Sequence, residues 1–177
     1  MNKGEHFKKD SLIKIVNLKA SLNRGLSDKL KLSFPGVTKI ERSKVNPPVN
    51  IDYNWIAGFF TGEACFSITS KAVLRVSIAQ RSIDKLLMNS LMNTLKCGTV
   101  SEHSKNVTVL TVSKFKDIYN EIIPLFNEYK IRGIKALDFK DFCIVAELVN
   151  KKAHLTLVGL KEINKIKLNM NKGRCFP

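Results

Sequence analysis

The 177-residue chain has few cysteines and histidines, and neither type is clustered. No two cysteines stand in a C-x-x-C pair, and the three histidines do not cluster in the sequence. Structural zinc sites and disulfide frameworks need such spacings, so the sequence argues against both. The residues concerned are Cys65, Cys97, Cys143, Cys175, His6, His103 and His154.

Long apolar runs are absent as well. No stretch reaches the roughly 18 uninterrupted apolar residues of a membrane-spanning helix. The first ten residues, MNKGEHFKKD, lack the apolar stretch of a secretory signal. The sequence therefore predicts neither secretion nor a membrane partner. Its apolar content of 44% is enough to form an ordinary buried core.

Acidic residues are scarce relative to basic ones, with 15 Asp and Glu against 30 Lys and Arg and a net charge of +15. The excess lies at the two ends: it is +7 in residues 1–50, +2 in 51–150 and +6 in 151–177. A surplus of this size in a short chain favours a polyanionic partner, most often a nucleic acid. The alternative is a protein that merely carries additional lysines.

The apolar periodicity predicts an α+β fold, an antiparallel four-stranded sheet with helices on one face and an open concave face. Asn54 and Ser82 are the expected caps of two helices. Glu102, Asp138 and Asp141 are interpreted as surface charges. The predicted helices cover 11–22, 27–33 (capped by Ser27), 53–62, 82–95, 115–129, 137–150 and 157–170, and the predicted hairpins pair 65–69 with 73–80 and 99–103 with 107–112.

The two ends of the chain resemble each other. HFKKDSLIKIVNLKASLNRG, from His6, and HLTLVGLKEINKIKLNMNKG, from His154, align without a gap at an offset of 148 residues. Any two basic amphipathic helices share Leu and Ile spacings, but the shared His, Asn and Gly have no such explanation. If the second copy closes one repeat, we expect the first copy to close an earlier repeat that lies outside this sequence.

The segment WIAGFFTGEACF, from Trp55 to Phe66, resembles the signature of the LAGLIDADG homing endonucleases, with Ile56 to Ala64 at the nine positions of the name. Thr61 and Ala64 stand where the name has Asp and Gly. NLKASLNRGLSDKLKLSFP, IIPLF, LDFKDFCIVAELV and HLTLVGL are similar to the two-repeat mitochondrial intron-encoded branch. The resemblance implies a mitochondrial location and assigns residues 1–36 to the closing helices of a missing first repeat, 37–50 to a linker and 51–177 to a LAGLIDADG domain.

The same resemblance implies a site. Two LAGLIDADG motifs each supply one acid, and bound Mg²⁺ supports cleavage of both DNA strands, so Glu63 would be the catalytic and metal-binding residue of this chain. Gln80 and Lys114 are candidates for the polar pocket that positions water and phosphate. Gly58 and Gly62 are one turn apart and would let a second helix approach, with a helix–helix interface of Ala57, Gly58, Phe59 and Gly62. The alternatives are a solvated Glu63 and two ordinary strand-end residues.

Strand parity predicts the nucleic-acid-binding residues. If the even positions from Phe66 to Val112 pack under the helices, the odd positions face outward with hydroxyls and a cation that suit phosphates and base edges. Val73, Val107 and Val109 share this parity and leave few direct readers of bases. A half-exposed sheet without a ligand is the alternative. The predicted binding residues are Ser67, Thr69, Lys71, Arg75, Ser77, Lys105, Thr111 and Ser113.

Two functions remain open at this point. The first is a metal-dependent double-strand DNA endonuclease that acts when two motifs assemble, the second motif coming from the missing N-terminal repeat or a second copy. The other is a catalytically inactive relic that binds structured RNA as an intron maturase or as a mitochondrial ribosome component, a ribonucleoprotein partner. A helix-turn-helix transcription factor is disfavoured. The chain alone, with one motif acid, is not expected to cleave DNA.

Overall fold

A computed structural model describes residues 8–22, 24–40 and 46–171 of the chain. The chain divides into two compact units, residues 1–45 and residues 46–177. Some residues used in the repeat comparison and in the cysteine count lie outside the described residues. They are His6, Asn23, Gly173 and Cys175.

The first unit contains two helices, α1 (Lys9–Ala20) and α2 (Asp28–Ser33). The first helix begins and ends two residues before the predicted bounds. The Ser27 hydroxyl accepts the Leu30 N–H, which confirms the predicted cap of α2. In α1, Val16 and Ala20 are buried and Ile13 is half-buried, whereas four other apolar residues in or just after this helix are exposed by 38–58% of their surface. These exposed residues are Leu12, Ile15, Leu18 and, just after the helix, Leu22.

The second unit is built on one antiparallel sheet in the order β1-β2-β4-β3. Two hairpins meet where β2 pairs with β4, and the predicted four-stranded antiparallel sheet is confirmed. The edge strand β3 has a register shift between Glu102 and Ser104. Glu102 also pairs with Lys85 at 2.7 Å. The strands are β1 (Ala64–Ile68), β2 (Leu74–Arg81), β3 (Thr99–Ser104) and β4 (Val107–Val112).

Most helix positions agree with the sequence prediction, but two predicted caps are wrong. The side chain of Asp52, and not that of Asn54, accepts the N–H groups of Asn54 and Trp55. Ser82 begins a 3₁₀ turn, and no side-chain hydrogen bond caps α4. The helices of the second unit are α3 (Tyr53–Glu63), α4 (Lys85–Leu95), α5 (Phe115–Asp117), α6 (Ile123–Glu128), α7 (Lys135–Asn150) and α8 (Leu157–Leu168).

The helix predicted over 115–129 contains a π-helical turn at Ile118–Ile122, between α5 and α6. Pro124 lies in the first turn of α6 and has no N–H to donate to the carbonyl of Asn120. The α-helical hydrogen bond from residue 124 to residue 120 is therefore impossible, and the wider π-helical turn lies directly before this proline.

The core lies between the sheet and the helices, and α3, α4, α6, α7 and α8 all contribute fully buried side chains. Aromatic rings join these layers: the Phe66 ring is centred 5.3 Å from both Phe139 and Phe142, and the rings of Phe60 and Phe126 are 4.7 Å apart. The even-numbered residues of β1, β2 and β4 from Ala64 to Ile78 and from Thr108 to Val112 are buried, and the odd-numbered ones are exposed or half-buried. This confirms the predicted parity and the open face of the sheet.

One residue interpreted as a surface charge is buried. Asp138 on α7 is only 5% exposed, and its carboxylate accepts the backbone N–H of Asn171 at 3.0 Å. The Asn171 side-chain amide in turn donates to the carbonyl of Phe66 on the edge strand β1 at 3.0 Å. The two residues link the segment after α8 to both α7 and the sheet. Among the described residues, no helix is long and apolar enough to cross a membrane.

Gly159 is the glycine whose side-chain space is most restricted. A Cβ there would lie 2.2 Å from the backbone oxygen of Ala153, whereas one at Gly58, also helical, would meet nothing within 4 Å. We expect Gly159→Ala to lower the free energy of unfolding by about 1–3 kcal/mol. Gly58→Ala, the control, should leave it unchanged or raise it by up to ~1 kcal/mol. Urea unfolding followed by circular dichroism measures both, and equal effects would contradict this packing.

Candidate functional site

Glu63 is the last residue of α3, and the next residue, Ala64, begins β1. Ala64 is buried at 3% exposure and anchors the junction in the core, while the Glu63 side chain is exposed. The last carbonyls of a helix have no partner within the helix, and this end of the helix dipole is negative. The junction therefore presents a carboxylate and backbone oxygens together, an environment that attracts cations.

A lysine that sequence analysis missed occupies this helix end. The Nζ of Lys135, the first residue of α7, donates to the carbonyl of Gly62 at 3.1 Å. The contact joins residues 73 positions apart in the sequence. No local pattern distinguishes Lys135 from the other lysines of the chain, so only the fold, which brings the start of α7 to the end of α3, could identify it.

The sheet register places Gln80 and Lys114, the two other predicted site residues, at opposite ends of β2. Ala64 pairs with Ile78, so Glu63 is level with Ala79 and next to the half-buried Gln80. Val112 pairs with Val76, which puts Lys114, two residues later, at the level of Leu74 and the opposite end of β2. Lys114 instead pairs with Asp117, its Nζ 3.6 Å from Oδ1. The strand register thus brings Gln80, but not Lys114, close to Glu63.

One face of α3 is open to solvent. Trp55, Gly58, Phe59, Gly62 and Glu63 line a concavity of about 340 Å³, and the rings of Trp55 and Phe59 stack at 4.9 Å. A Cβ at either glycine would meet no atom within 4 Å. The prediction was wrong for the remaining interface residue, because Ala57 is 5% exposed and packs in the core of its own unit. Small side chains beside the exposed Trp55 ring and the half-buried Phe59 ring suit close packing of a second helix.

The donor chemistry at this end of α3 fits part of a magnesium site. Carboxylate and carbonyl oxygens are the ligands that Mg²⁺ prefers. Within residues 8–22, 24–40 and 46–171, no three His, Cys, Asp or Glu side chains are close enough together to hold a metal ion. Glu63 supplies one carboxylate, and a second would have to approach across the open face of α3.

The open face of the sheet carries the predicted nucleic-acid residues. Ser77 on β2 pairs with Cys65 on β1 and with Thr111 on β4, and Thr111 pairs with Thr99 on β3. One row of small polar side chains thus crosses all four strands, and sequence analysis missed Cys65 and Thr99 as members. Such side chains suit contacts with phosphates and base edges.

The other predicted binding residues surround this row. Arg75 is exposed and pairs with Ser67 across β1 and β2. Lys71 and Lys105 are exposed at the two hairpin turns, and Ser113 is exposed after β4. The Thr69 hydroxyl accepts the Val73 N–H at 3.1 Å and so stabilises the first turn. Positive charge therefore lies at the tips of the hairpins and at Arg75 on the sheet, with small hydroxyls between them.

The fold and the site together define an α+β protein with an exposed carboxylate at the end of a helix whose glycine-containing face is open. The model of the LAGLIDADG endonuclease family matches residues 56–146, more than half of the chain. The chain therefore belongs to the LAGLIDADG endonuclease family.

Known relatives agree in sequence and in structure. The chain is 39% identical, over 94% of its length, to "Probable intron-encoded endonuclease 2" of Neurospora crassa. It matches I-GzeII in complex with its DNA target with a TM-score of 0.90, 40% identity and 98% of this chain covered. It matches I-SmaMI bound to cleaved DNA with a TM-score of 0.90, 38% identity and 99% covered. The chain spans 40% of the Neurospora relative and 64% and 62% of the two solved chains.

The described cysteines differ in their environment. Burial raises the pKa of the Cys97 thiol to about 11, with smaller contributions from Asp117 and Glu121. Burial likewise raises the pKa of the Cys143 thiol to about 11, with a smaller contribution from Glu147. Cys65, in the polar row, is exposed.

Thiol labelling tests these environments. Because the thiolate is the reactive form, a pKa raised to about 11 leaves little nucleophile at pH 8. In a Cys175→Ser background we expect a neutral alkylating reagent to label Cys65 well before Cys97 and Cys143, with all three reacting alike in denaturant. Peptide mass spectrometry over time measures the order. Equal labelling of the three in the folded chain would contradict the burial described here.

Proposed function

We propose that the chain is one half of a metal-dependent DNA endonuclease, which binds duplex DNA on its open sheet face and contributes Glu63 to a metal site completed by a second LAGLIDADG repeat. The observation that carries this proposal is the exposed Glu63 at the end of a helix whose glycine-containing face is open. Support comes from the DNA-bound state of I-GzeII and I-SmaMI, which share this fold.

Three side chains of this chain, Glu63, Lys135 and Gln80, would each have a separate role in cleavage. When bound, Mg²⁺ supplies activation of a water molecule and stabilisation of the leaving oxygen. Glu63 would hold the ion through its carboxylate. Lys135, beside the Gly62 carbonyl, brings a fixed positive charge that can offset the charge of the phosphate during cleavage. The Gln80 amide can both donate and accept hydrogen bonds and so orient water. Lys114 would bind DNA backbone away from the reacting phosphate.

Binding of DNA would combine two kinds of contact. A two-stranded β-ribbon fits the major groove, where Arg75, Ser77 and Thr111 would reach base edges. Lys71 and Lys105, at the hairpin tips, would bind flanking phosphates. Valines occupy several outward positions and cannot form hydrogen bonds with bases. We therefore propose that phosphate contacts supply most of the affinity.

The partner we propose is a first LAGLIDADG repeat rather than a second copy of this chain. The repeat alignment matches α1 with α8, and the two helices bury equivalent residues differently. Ile163 and Met170 are 0% and 4% exposed in the core, whereas their counterparts Ile15 and Leu22 are 40% and 58% exposed. The core of a first repeat would cover that face of α1. By resemblance to the mitochondrial intron-encoded branch, we place the assembly in mitochondria.

The essential acid can be tested in an assembly of this chain with a first LAGLIDADG repeat. We expect Glu63→Gln to lower cleavage of the cognate site by more than about 100-fold, because even outer-shell partners of a bound metal change activity by about 10- to 100-fold. Affinity for the same DNA should stay within about threefold, since the amide replaces a group that faces the metal rather than the groove. Single-turnover cleavage with Mg²⁺ and fluorescence anisotropy measure the two quantities.

Glu102→Gln is the matched control. Glu102 lies on β3, where it pairs with Lys85, and its loss should leave cleavage unchanged. The chain without a first repeat should not cleave either strand. Full activity of Glu63→Gln in the assembly would place the metal site elsewhere.

The preferred nucleic acid can be tested on the chain itself by filter binding over a series of salt concentrations. We expect duplex DNA to bind more tightly than structured RNA. The logarithm of affinity should fall linearly with the logarithm of salt concentration, with a slope of about −0.9 for each phosphate contact. Bound DNA should also slow alkylation of Cys65 but not of Cys143, since Cys65 lies in the polar row. A flat salt response would contradict the proposal, and tighter RNA binding without protection of Cys65 would favour the RNA-binding alternative.

A further inference from the structure

A loop rich in basic residues adjoins the acidic end of α3. This basic loop, residues 129–135, comprises the connection between α6 and α7 together with the first residue of α7, and it carries Lys130, Arg132 and Lys135. Lys130 and Arg132 are exposed, and Lys135 is half-buried. Among the residues the structure describes, none of the three forms an ion pair with a carboxylate. Three cations without acidic partners, of which Arg132 and Lys135 are hydrogen-bonded to the last turn of α3, leave positive charge available for a ligand.

The basic loop is fixed to the domain on both sides of its exposed cations. The Tyr129 ring is centred 5.3 Å from the ring of Tyr53 on α3. Ile131 is 6% exposed and belongs to the core. The backbone N–H of Arg132 donates to Oγ1 of Thr61 at 3.2 Å. Because the backbone of the loop is held at these points, binding of a ligand to its charged side chains would cost little conformational entropy of the loop.

Thr61 is one residue before Gly62 and two before Glu63. Its hydroxyl donates to the carbonyl of Ala57 at 2.7 Å. Since a hydroxyl has a single proton, the oxygen can act toward Arg132 only as an acceptor. Thr61 stands where the family name has Asp, which also accepts hydrogen bonds. Thr and Asp therefore both provide a side-chain oxygen that can accept the Arg132 N–H, whereas an apolar residue provides none.

We propose that Thr61 is a positioning residue, which ties the basic loop to the end of α3 so that Lys130 and Arg132 bind the DNA backbone next to the cleavage site. This inference rests on the proposed function, because it takes DNA as the ligand. It assigns a task to the motif position that departs from the family name. The ligand chemistry is a phosphodiester backbone, recognised by two exposed cations on a loop with fixed backbone.

The tie between Thr61 and Arg132 can be measured without DNA. Thr61→Val keeps the volume of the side chain but removes the acceptor, while Thr61→Ser and Thr61→Asp keep an acceptor. We expect amide hydrogen exchange at Arg132, followed by nuclear magnetic resonance, to accelerate by about fivefold in Thr61→Val, the factor that corresponds to an ordinary net hydrogen bond. Exchange in Thr61→Ser and Thr61→Asp should stay near that of the parent chain.

The phosphate contacts are measured by binding of the chain to duplex DNA across salt concentrations. Lys130→Gln and Arg132→Gln should each weaken binding and make the salt slope shallower by about 0.9, the contribution of one phosphate contact. Thr61→Val should weaken binding by up to about fivefold, and Thr61→Ser should restore it. Thr156→Val is the matched control, because it removes a hydroxyl that accepts the Gly159 N–H at the distant start of α8.

The outcomes separate this inference from the proposed function. If amide hydrogen exchange at Arg132 were unchanged in Thr61→Val, the hydrogen bond between Thr61 and Arg132 would be shown not to hold the loop, whatever the result of DNA binding. Faster exchange with normal DNA binding by Thr61→Val, Lys130→Gln and Arg132→Gln would overturn the phosphate role and leave the proposed function standing. A parent chain that does not bind duplex DNA would overturn the proposed function and the phosphate role together. Weaker binding by Thr156→Val equal to that of Thr61→Val would show a general loss of stability and overturn the positioning role.

Discussion

The packing of Ile56 and Phe60 against the sheet sets the rotation of α3 about its axis, and the rest of the site depends on that rotation. Ile56 and Phe60 are 0% and 1% exposed, so this side of the helix cannot turn outward. Gly58 and Gly62 consequently lie on the opposite, open side. The direct junction between Glu63 and Ala64 then places the acid at the edge of the sheet, because no loop separates helix from strand. Core packing thus positions a side chain that is itself exposed.

Features with a regular period were predictable from the sequence. The alternation along β1, β2 and β4 identified the buried face because side chains in a strand alternate strictly between two sides. The motif also predicted a helix that ends at Glu63 with Gly58 and Gly62 on one face, and the structure has this helix. The caps were less predictable: Asp52 and Asn54 are both good N-cap residues, and spacing alone does not decide at which of them the helix begins.

Features that depend on contacts between distant segments could not be predicted. Ala57 is small, as an interface residue should be, but the rotation of α3 turns it into the core. Lys114 follows β4, whose buried and exposed residues alternate as predicted. This alternation does not reveal the end of the sheet at which the strand finishes. The register with β2 places Lys114 far from Glu63, while the start of α7 brings Lys135 to Gly62. Asp138 resembles a surface charge until Asn171 is seen to donate to it.

The irregular edge strand β3 has a consequence for how such proteins assemble. The register shift between Glu102 and Ser104, together with the Lys85–Glu102 pair, leaves this edge poorly suited to continuous pairing with a strand of another chain. On the other edge, the amide of Asn171 already occupies the carbonyl of Phe66. In the proposed assembly, two such sheets would therefore lie side by side on one nucleic acid without merging into a larger sheet, and contact between the two repeats would be left to the helices.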